Sequence, residues 1–266
     1  MTEFRPISLS NVVYKIIAKI LANRLKAILP HIISENQSAF IFERLITDNV
    51  LTAFEFMHYL NNKRVGKDCS MTVKLDMSKA FDRVEWCFIE AAMEKLGFRE
   101  KWISLIMHYI TTVSYSIIIN GFAYDCITPS RGLRQGNLLS PYLFLIYVEA
   151  FSSLIHSAAR SKELNGISIC RGCPSVTHLF FADNSLLFCK ASSQECHTLT
   201  EILSKYDAAF GQKINTDKSS IFFSHNTPQG TKDEVLQILG PMQGSCHSKY
   251  LGLPSIIGKS KNADLC

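Results

Sequence analysis

Runs of like charge, internal repeats and Pro/Gly/Ser-rich linkers are all missing from this 266-residue chain. Without a block of five or six like charges there is no acidic or basic tail to read. Charged residues make up only 19% of the chain and hydrophobic ones 47%, the balance of an ordinary globular protein with a sizeable core, in one large domain or two small ones. No secretory signal leads the chain, so the nine cysteines (Cys69, Cys87, Cys126, Cys170, Cys173, Cys189, Cys196, Cys246 and Cys266), odd in number and scattered through apolar segments, read as a reduced intracellular set. Cys170 and Cys173 have the spacing of half a zinc site, but no second pair follows, and a closed site needs four ligands. Nor is there a clean membrane span. The most apolar stretch, residues 138–155, contains Pro141, Glu149, Ser152 and Ser153, which makes it a core helix, with Ser140 expected as N-cap and Pro141 in the first turn. A net charge of +5 favours a polyanionic partner without identifying one.

What is present is periodicity. Val13, Ile16, Ile17, Ile20, Leu21, Leu25 and Ile28 keep helical spacing, and Pro30 marks the expected end. A second helix is expected from residues 47–49 to about 60. In "MTVKLDM" Met71, Val73 and Leu75 alternate with Thr72, Lys74 and Asp76, which predicts a strand ending in Asp76 on its polar face. Helices are expected over 84–96 and 100–112, and "SYSIIINGFAYDCI" is a hairpin turning at Asn120-Gly121. A core helix over 140–160, a hairpin over 176–188, a helix over 195–210 stopped by Gly211, the strand "KSSIFFS", the short helix "KDEVLQIL" and the strand and turn "KYLGLPSII" complete the chain. The order lacks the strict βαβ alternation of a parallel sheet, so the class is α+β.

The hairpin "HLFFADNSLLF" poses the functional question, because Asp183 and Asn184 interrupt an apolar run. Both suit a two-residue turn, and reversing the chain could be their whole role. The other reading needs a second carboxylate at the same place, and Asp76, at the end of its own apolar strand, supplies one if the strands are neighbours. Hard divalent cations take oxygen ligands, and Mg²⁺ needs only one or two carboxylates plus substrate phosphates. Paired carboxylates of this kind serve phosphoryl transfer by two metal ions.

The blocks "FRPISLSNVVYKIIAKILANRLKAILPHIISENQSAF", "RLITDNVL", "KLDMSKAFDRVEW", "RGLRQGNLLSPYLF", "FADNSLLF", "GQKINTDKSSIFFS" and "KYLGLPSIIGKS" together resemble the successive motifs of reverse transcriptases of plant non-LTR, LINE-type retrotransposons. The resemblance covers nearly the whole chain in the family's order. It implies a right-hand polymerase: fingers over 1–62, palm with a helical and hairpin fingers insertion over 63–228, and palm edge with the start of the thumb over 229–266. It implies RNA template, DNA primer and deoxynucleoside triphosphates as partners, Mg²⁺ (two ions, with Mn²⁺ as a substitute) as cofactor, and a nuclear or cytoplasmic, intracellular location with no membrane.

By the same resemblance Asp76 and Asp183 are the metal ligands and Lys218 is the candidate general acid near the leaving pyrophosphate. Phe81 is the gate against a ribose 2′-hydroxyl, a role that disfavours an RNA-making polymerase, and Arg5, Gln135 and Gly136 contact the incoming nucleotide. Arg131 and Arg134 are open between phosphate contact and a basic turn, Lys218 and Phe81 would otherwise be a surface lysine and a core aromatic, and Asp82 is expected to be structural. Departures from the family pattern stand out. Its "FADD" has Asn184 as the second metal position, "RQGDPLSP" has Asn137 and Leu138, and "GRLITDN" has Glu43 in place of glycine. With only four residues before Arg5, and an end at the thumb, the expectation is a fragment or decaying copy, either an enzyme or a silent nucleic-acid-binding remnant.

Overall fold

The computed structural model describes residues 10–240, 242–244 and 249–254. Helix α1 (Val12–Ile32) starts where Asn11 accepts a hydrogen bond from the Tyr14 amide at 2.7 Å. It does not stop at Pro30, which lies inside its last turn. Proline there removes a single donor, and Arg44 closes the helix end by donating to the carbonyls of Ile33 (3.0 Å), Ser34 and Gln37 (2.6 Å). The buried face is also rotated from the expected one: Ala18, Leu21, Ala22, Leu25 and Leu29 face the core, whereas Val13 is 67% and Ile16 54% exposed. Two alanines let α1 approach the core more closely than isoleucines would. Helix α2 (Ile46–Asn62) buries Asn49, Ala53, Phe56, Met57 and Leu60 at spacings of three and four.

Strand β1 (Ser70–Leu75) is the middle of a five-stranded sheet. It is followed by α3 (Trp86–Lys95), α4 (Glu100–Thr111) and the hairpin of β2 (Tyr115–Ile119) and β3 (Phe122–Ile127). That hairpin turns at Asn120 (φ 51°) and Gly121 (φ 85°), the left-handed pair its sequence called for. Next come α5 (Ser140–Arg160), β4 (His178–Phe181), β5 (Asn184–Lys190), α6 (Ser193–Phe210), β6 (Ser220–Phe223), α7 (Gln229–Leu239), β7 (Gln243–Gly244), β8 (Lys249–Tyr250) and β9 (Leu253–Pro254). The large sheet runs β4-β5-β1-β6-β7. β1 is antiparallel to β5, from Ser70 opposite Lys190 to Leu75 opposite Ser185, and antiparallel to β6; only the short β7 joins in parallel.

Both faces of the sheet are covered. Met71, Val73, Leu75, Leu187 and Ile221 pack with α1, α3, α5 and α6, and Leu179, Leu186, Phe188 and Phe222 pack with α2. This explains why Thr72, expected on a polar face, is only 1% exposed. Helix α5 is long and apolar enough to cross a membrane by composition alone, yet Phe144, Tyr147 and Phe151 lie fully buried at the centre of the core. Ser140 is its first helical residue and not its cap. The N-cap is Leu139, which makes no side-chain cap bond; its own amide donates to the Asn137 side-chain oxygen at 2.8 Å. Cys170 and Cys173 form a disulfide, against the reading of a wholly reduced chain. A tight turn draws them together, with Ser168 Oγ donating to both their carbonyls at 2.9 Å.

Candidate active site

The register of β1 with β5 carries Asp76 to the catalytic question. Leu75 pairs with Ser185, so the next residue along each strand brings Asp76 beside Asn184 and the tip of the β4-β5 hairpin. The tip is one residue earlier than expected: Phe181 pairs with Asn184, and the turn is Ala182-Asp183, with Ala182 at φ 54°. Pairing along β4 and β5 decides this, because it assigns Asn184 to the strand. Asp183 is left in the turn and half-buried, as is Asp76.

The Asp76 carboxyl is perturbed by its surroundings. Burial raises the Asp76 carboxyl above its ordinary range; Lys218 pulls it down, the like charge of Asp183 raises it further, and Lys74 lowers it. Burial in turn lowers Lys74, opposed by Asp76. Desolvation and a like-charged neighbour are what a bound cation would relieve. The donor set, two hard oxygen anions at neighbouring strand ends, fits a divalent metal that also takes substrate oxygens. Asn184 fits less well, since its amide nitrogen lies 3.4 Å from Asp183 Oδ1 and donates to it. Among the described residues no three His, Cys, Asp or Glu side chains cluster.

Lys218 is exposed on a turn tied to the Asp76 segment by three bonds. The Asn215 amide donates to the Asp76 carbonyl at 2.9 Å, Ser78 to the Lys213 carbonyl at 2.8 Å, and Ser219 Oγ accepts from the Asp76 amide at 3.1 Å. Phe81 stacks on Phe144 with ring centroids 4.4 Å apart and 15° between planes, so it is a half-buried aromatic packed against the core. The loop carrying Gln135 and Gly136 is fastened to the Phe81 segment. Leu133 donates to the Phe81 carbonyl and Gly132 to the Val84 carbonyl, both at 2.8 Å, and Gln135 Nε2 donates to Asp82 Oδ1 at 3.3 Å. Gly132, at φ 92°, is required there, because a Cβ would meet the Asp82 carbonyl oxygen at 2.9 Å.

The two loop arginines are occupied with protein partners. Arg131 pairs with Glu85 at 3.1 Å. The Arg134 guanidinium lies over the Tyr14 and Tyr115 rings at 4.7 and 4.8 Å and donates to Ser10 Oγ. Arg5 lies outside the described residues. Glu43 stands at φ 67°, a left-handed conformation that accounts for a glycine in the pattern it departs from.

Three side chains escaped the sequence reading. Gln37 Oε1 accepts from the amides of Ala39 (3.0 Å) and Ala182 (3.1 Å). Asn49 Nδ2 donates to the Phe180 carbonyl at 3.1 Å, while its oxygen accepts from Tyr250 at 2.7 Å. Asn36 donates to the His178 carbonyl at 2.8 Å. Their signal was present as uncharged amides in "SENQSAF" and "TDNVL", but nothing in the spacing connected them to residue 180.

Comparison with known proteins identifies the family and the fold. The family described as "Reverse transcriptase (RNA-dependent DNA polymerase)" matches residues 1–254. The "Transposon TX1 uncharacterized 149 kDa protein" of Xenopus laevis is 29% identical over 223 residues, 82% of this chain and 16% of that protein. A "Retrovirus-related Pol polyprotein from type-1 retrotransposable element R2" of Popillia japonica is 27% identical over 203 residues, 74% of this chain and 32% of that one. An uncharacterized mitochondrial protein of Arabidopsis thaliana is 47% identical over 68 residues, 26% of this chain and 56% of its own length. The chain thus spans less than two thirds of each of these relatives. Telomerase from Candida tropicalis with a fragment of telomeric RNA superposes at a TM-score of 0.59 and 13% identity over 91% of this chain and 36% of that one. The apo form gives 0.58 and 12%, over 91% and 39%. The shared fold is that of a right-hand polymerase.

Proposed function

Since the chain belongs to the reverse transcriptase (RNA-dependent DNA polymerase) family, we propose that it is the polymerase core of a non-LTR retrotransposon protein, extending a DNA primer on an RNA template from deoxynucleoside triphosphates. The observation that carries this reading is the convergence of Asp76 and Asp183, whose like charge helps hold the Asp76 carboxyl above its ordinary range. Reverse transcriptases depend on divalent metal; here Asp76 and Asp183 would hold two Mg²⁺ ions, or Mn²⁺, with Asn184 as a weakened third ligand. When bound, such ions activate the primer 3′-hydroxyl and neutralise the leaving pyrophosphate.

The chain's own residues do the rest. Asp76 and Asp183 orient oxygens at these strand ends, where positioning and electrostatics dominate the chemistry of phosphoryl groups. Lys218 Nζ, exposed and in the field of Asp76, donates a proton to the departing pyrophosphate. Phe81, braced by Phe144, walls off the sugar's 2′ position. Gln135 and Gly136 line the nucleotide from a loop tied to the Phe81 segment, and Arg5 reaches the triphosphate with bidentate donors. The fingers are assigned to 1–62, the palm to 63–228 and the thumb's beginning to 229–266, and the place of action to the nucleus or cytoplasm.

A second reading rests on Asn184, which replaces an anion with an amide that donates to Asp183. On that reading the chain binds nucleic acid without turnover. RNA-templated primer extension with deoxynucleotides and Mg²⁺ separates the two, with the native chain run beside Asn184→Asp. Extension by the native chain supports the enzyme. Extension by the variant alone locates the loss at Asn184, and RNA binding with no extension by either supports the remnant.

A further inference from the structure

We infer that Gln37 is the positioning residue of the catalytic hairpin: its side-chain oxygen fixes the Ala182-Asp183 turn so that the Asp183 carboxylate faces Asp76. The inference rests on the assignment of Asp183 as a metal ligand and goes beyond it, since no contact with metal or nucleotide is assigned to Gln37.

A two-residue turn with alanine at φ 54° is not one that alanine adopts cheaply, so something outside the hairpin must hold it. β4 is the edge strand of the sheet, and the segment 36–38 covers that edge. The Phe180 amide donates to the Asn36 carbonyl at 2.7 Å, the Ser38 amide donates to the Phe180 carbonyl at 3.1 Å, and Gln37 bridges Phe180 in parallel. This ladder places the Gln37 side chain at the tip, where Oε1 accepts from Ala182 at 3.1 Å and from Ala39 at 3.0 Å. With one oxygen taking both amides, the side chain locks the tip to the segment that covers the edge.

Two features separate this from ordinary core packing. Gln37 is 1% exposed and its Nε2 finds no partner among the described residues. An orphan buried donor costs stability, so an apolar side chain of the same volume would serve packing alone at least as well. And the bonded amide is that of Ala182, the residue immediately before Asp183, so releasing it loosens the turn that carries the carboxylate. Residues that orient a metal ligand without touching metal commonly govern its affinity.

The test uses the full chain and Gln37→Met, which keeps length and volume and removes the acceptor. Amide exchange is followed by NMR at Ala182 and, for comparison, at Val73 and Leu187 in the sheet centre. Mn²⁺ binding is followed by electron paramagnetic resonance. The expected result is exchange at Ala182 faster by about tenfold relative to the sheet centre, with Mn²⁺ affinity weaker by about tenfold. Uniform acceleration through β4, β5 and β1, or unchanged Mn²⁺ affinity, assigns Gln37 to structure only and overturns the proposal. If Gln37→Met does not fold, Gln37→Glu keeps an oxygen for both amides. Protected exchange at Ala182 then supports the proposal, and fast exchange in a folded chain overturns it. Asp183→Ala separates the two levels. If it leaves Mn²⁺ binding unchanged, the metal reading falls and takes the proposal with it; if it weakens binding and Gln37→Met does not, only the proposal falls.

Discussion

Acid should loosen the chain through one buried imidazole. His178, the first residue of β4, is fully buried, with Ser152 Oγ 2.8 Å from Nε2 and Thr177 Oγ1 2.9 Å from Nδ1. Burial, seconded by the neighbouring His156, pulls its pKa down from 6.5 to about 3. The native ring therefore stays neutral where the unfolded chain's ring takes a proton. Stability is complete above pH 6.5 and is lost as the pH falls from there toward 3, at about 1.4 kcal/mol per pH unit. Between pH 8 and pH 5 this amounts to about 2 kcal/mol from this residue alone. Carboxyls raised by burial, Glu149 and Asp76 among them, work in the opposite direction, so the assay must isolate the histidine. Denaturant unfolding of the native chain and of His178→Gln at both pH values does so. The stability advantage of the native chain over the variant should shrink by about 2 kcal/mol on acidification. Parallel pH profiles for the two proteins would refute the account of a neutral, desolvated imidazole. Because β4 leads into the Ala182-Asp183 turn, the same acidification should raise amide exchange at the tip.

Other perturbations follow from backbone and packing. Glu43→Gly should stabilise by about 0.5–1 kcal/mol, raising Tm by roughly 1–2 °C, because the native φ of 67° suits glycine; a fall in Tm would contradict the left-handed assignment. Gly132→Ala should destabilise by at least about 2 kcal/mol in denaturant unfolding, since both φ and the Asp82 carbonyl oppose a Cβ. In an actively extending variant, Phe81→Val should narrow the preference for deoxynucleotides over ribonucleotides by at least about tenfold in kcat/KM, with single-nucleotide incorporation as the assay.

Much of this was legible in the sequence because it was local. The alternation in "MTVKLDM" located β1 and put Asp76 at its end, and Gly211 stopped α6 with φ 68° as a C-cap should. Asn120-Gly121 named its own turn. Misreadings arose where tertiary contacts chose between equivalent local answers. Asp183-Asn184 and Ala182-Asp183 are both plausible turns, and only the pairing of Phe181 with Asn184 selects the second. The isoleucines of α1 looked like its core face until Ala18 and Ala22 proved to be the side that packs. Arg134 was open between phosphate and scaffold because the two tyrosines that sandwich it lie at positions 14 and 115. Gln37 and Asn49 were invisible for the same reason: hydrogen bonds from residues 37 and 49 to residues 180 and 182 leave no periodicity to read.

The central claim is that Asp76 and Asp183 act as one divalent-metal site, and a double-mutant cycle on Mn²⁺ affinity tests it most directly. The cycle uses Asp76→Asn, Asp183→Asn and the pair together, each also checked for unaltered circular dichroism. If the carboxylates share the ion, each single change should cost nearly as much affinity as the double change, with a coupling of at least about 1 kcal/mol. Additive losses, or single changes that leave Mn²⁺ affinity as it was, would contradict a shared site and with it the polymerase reading of this sheet end.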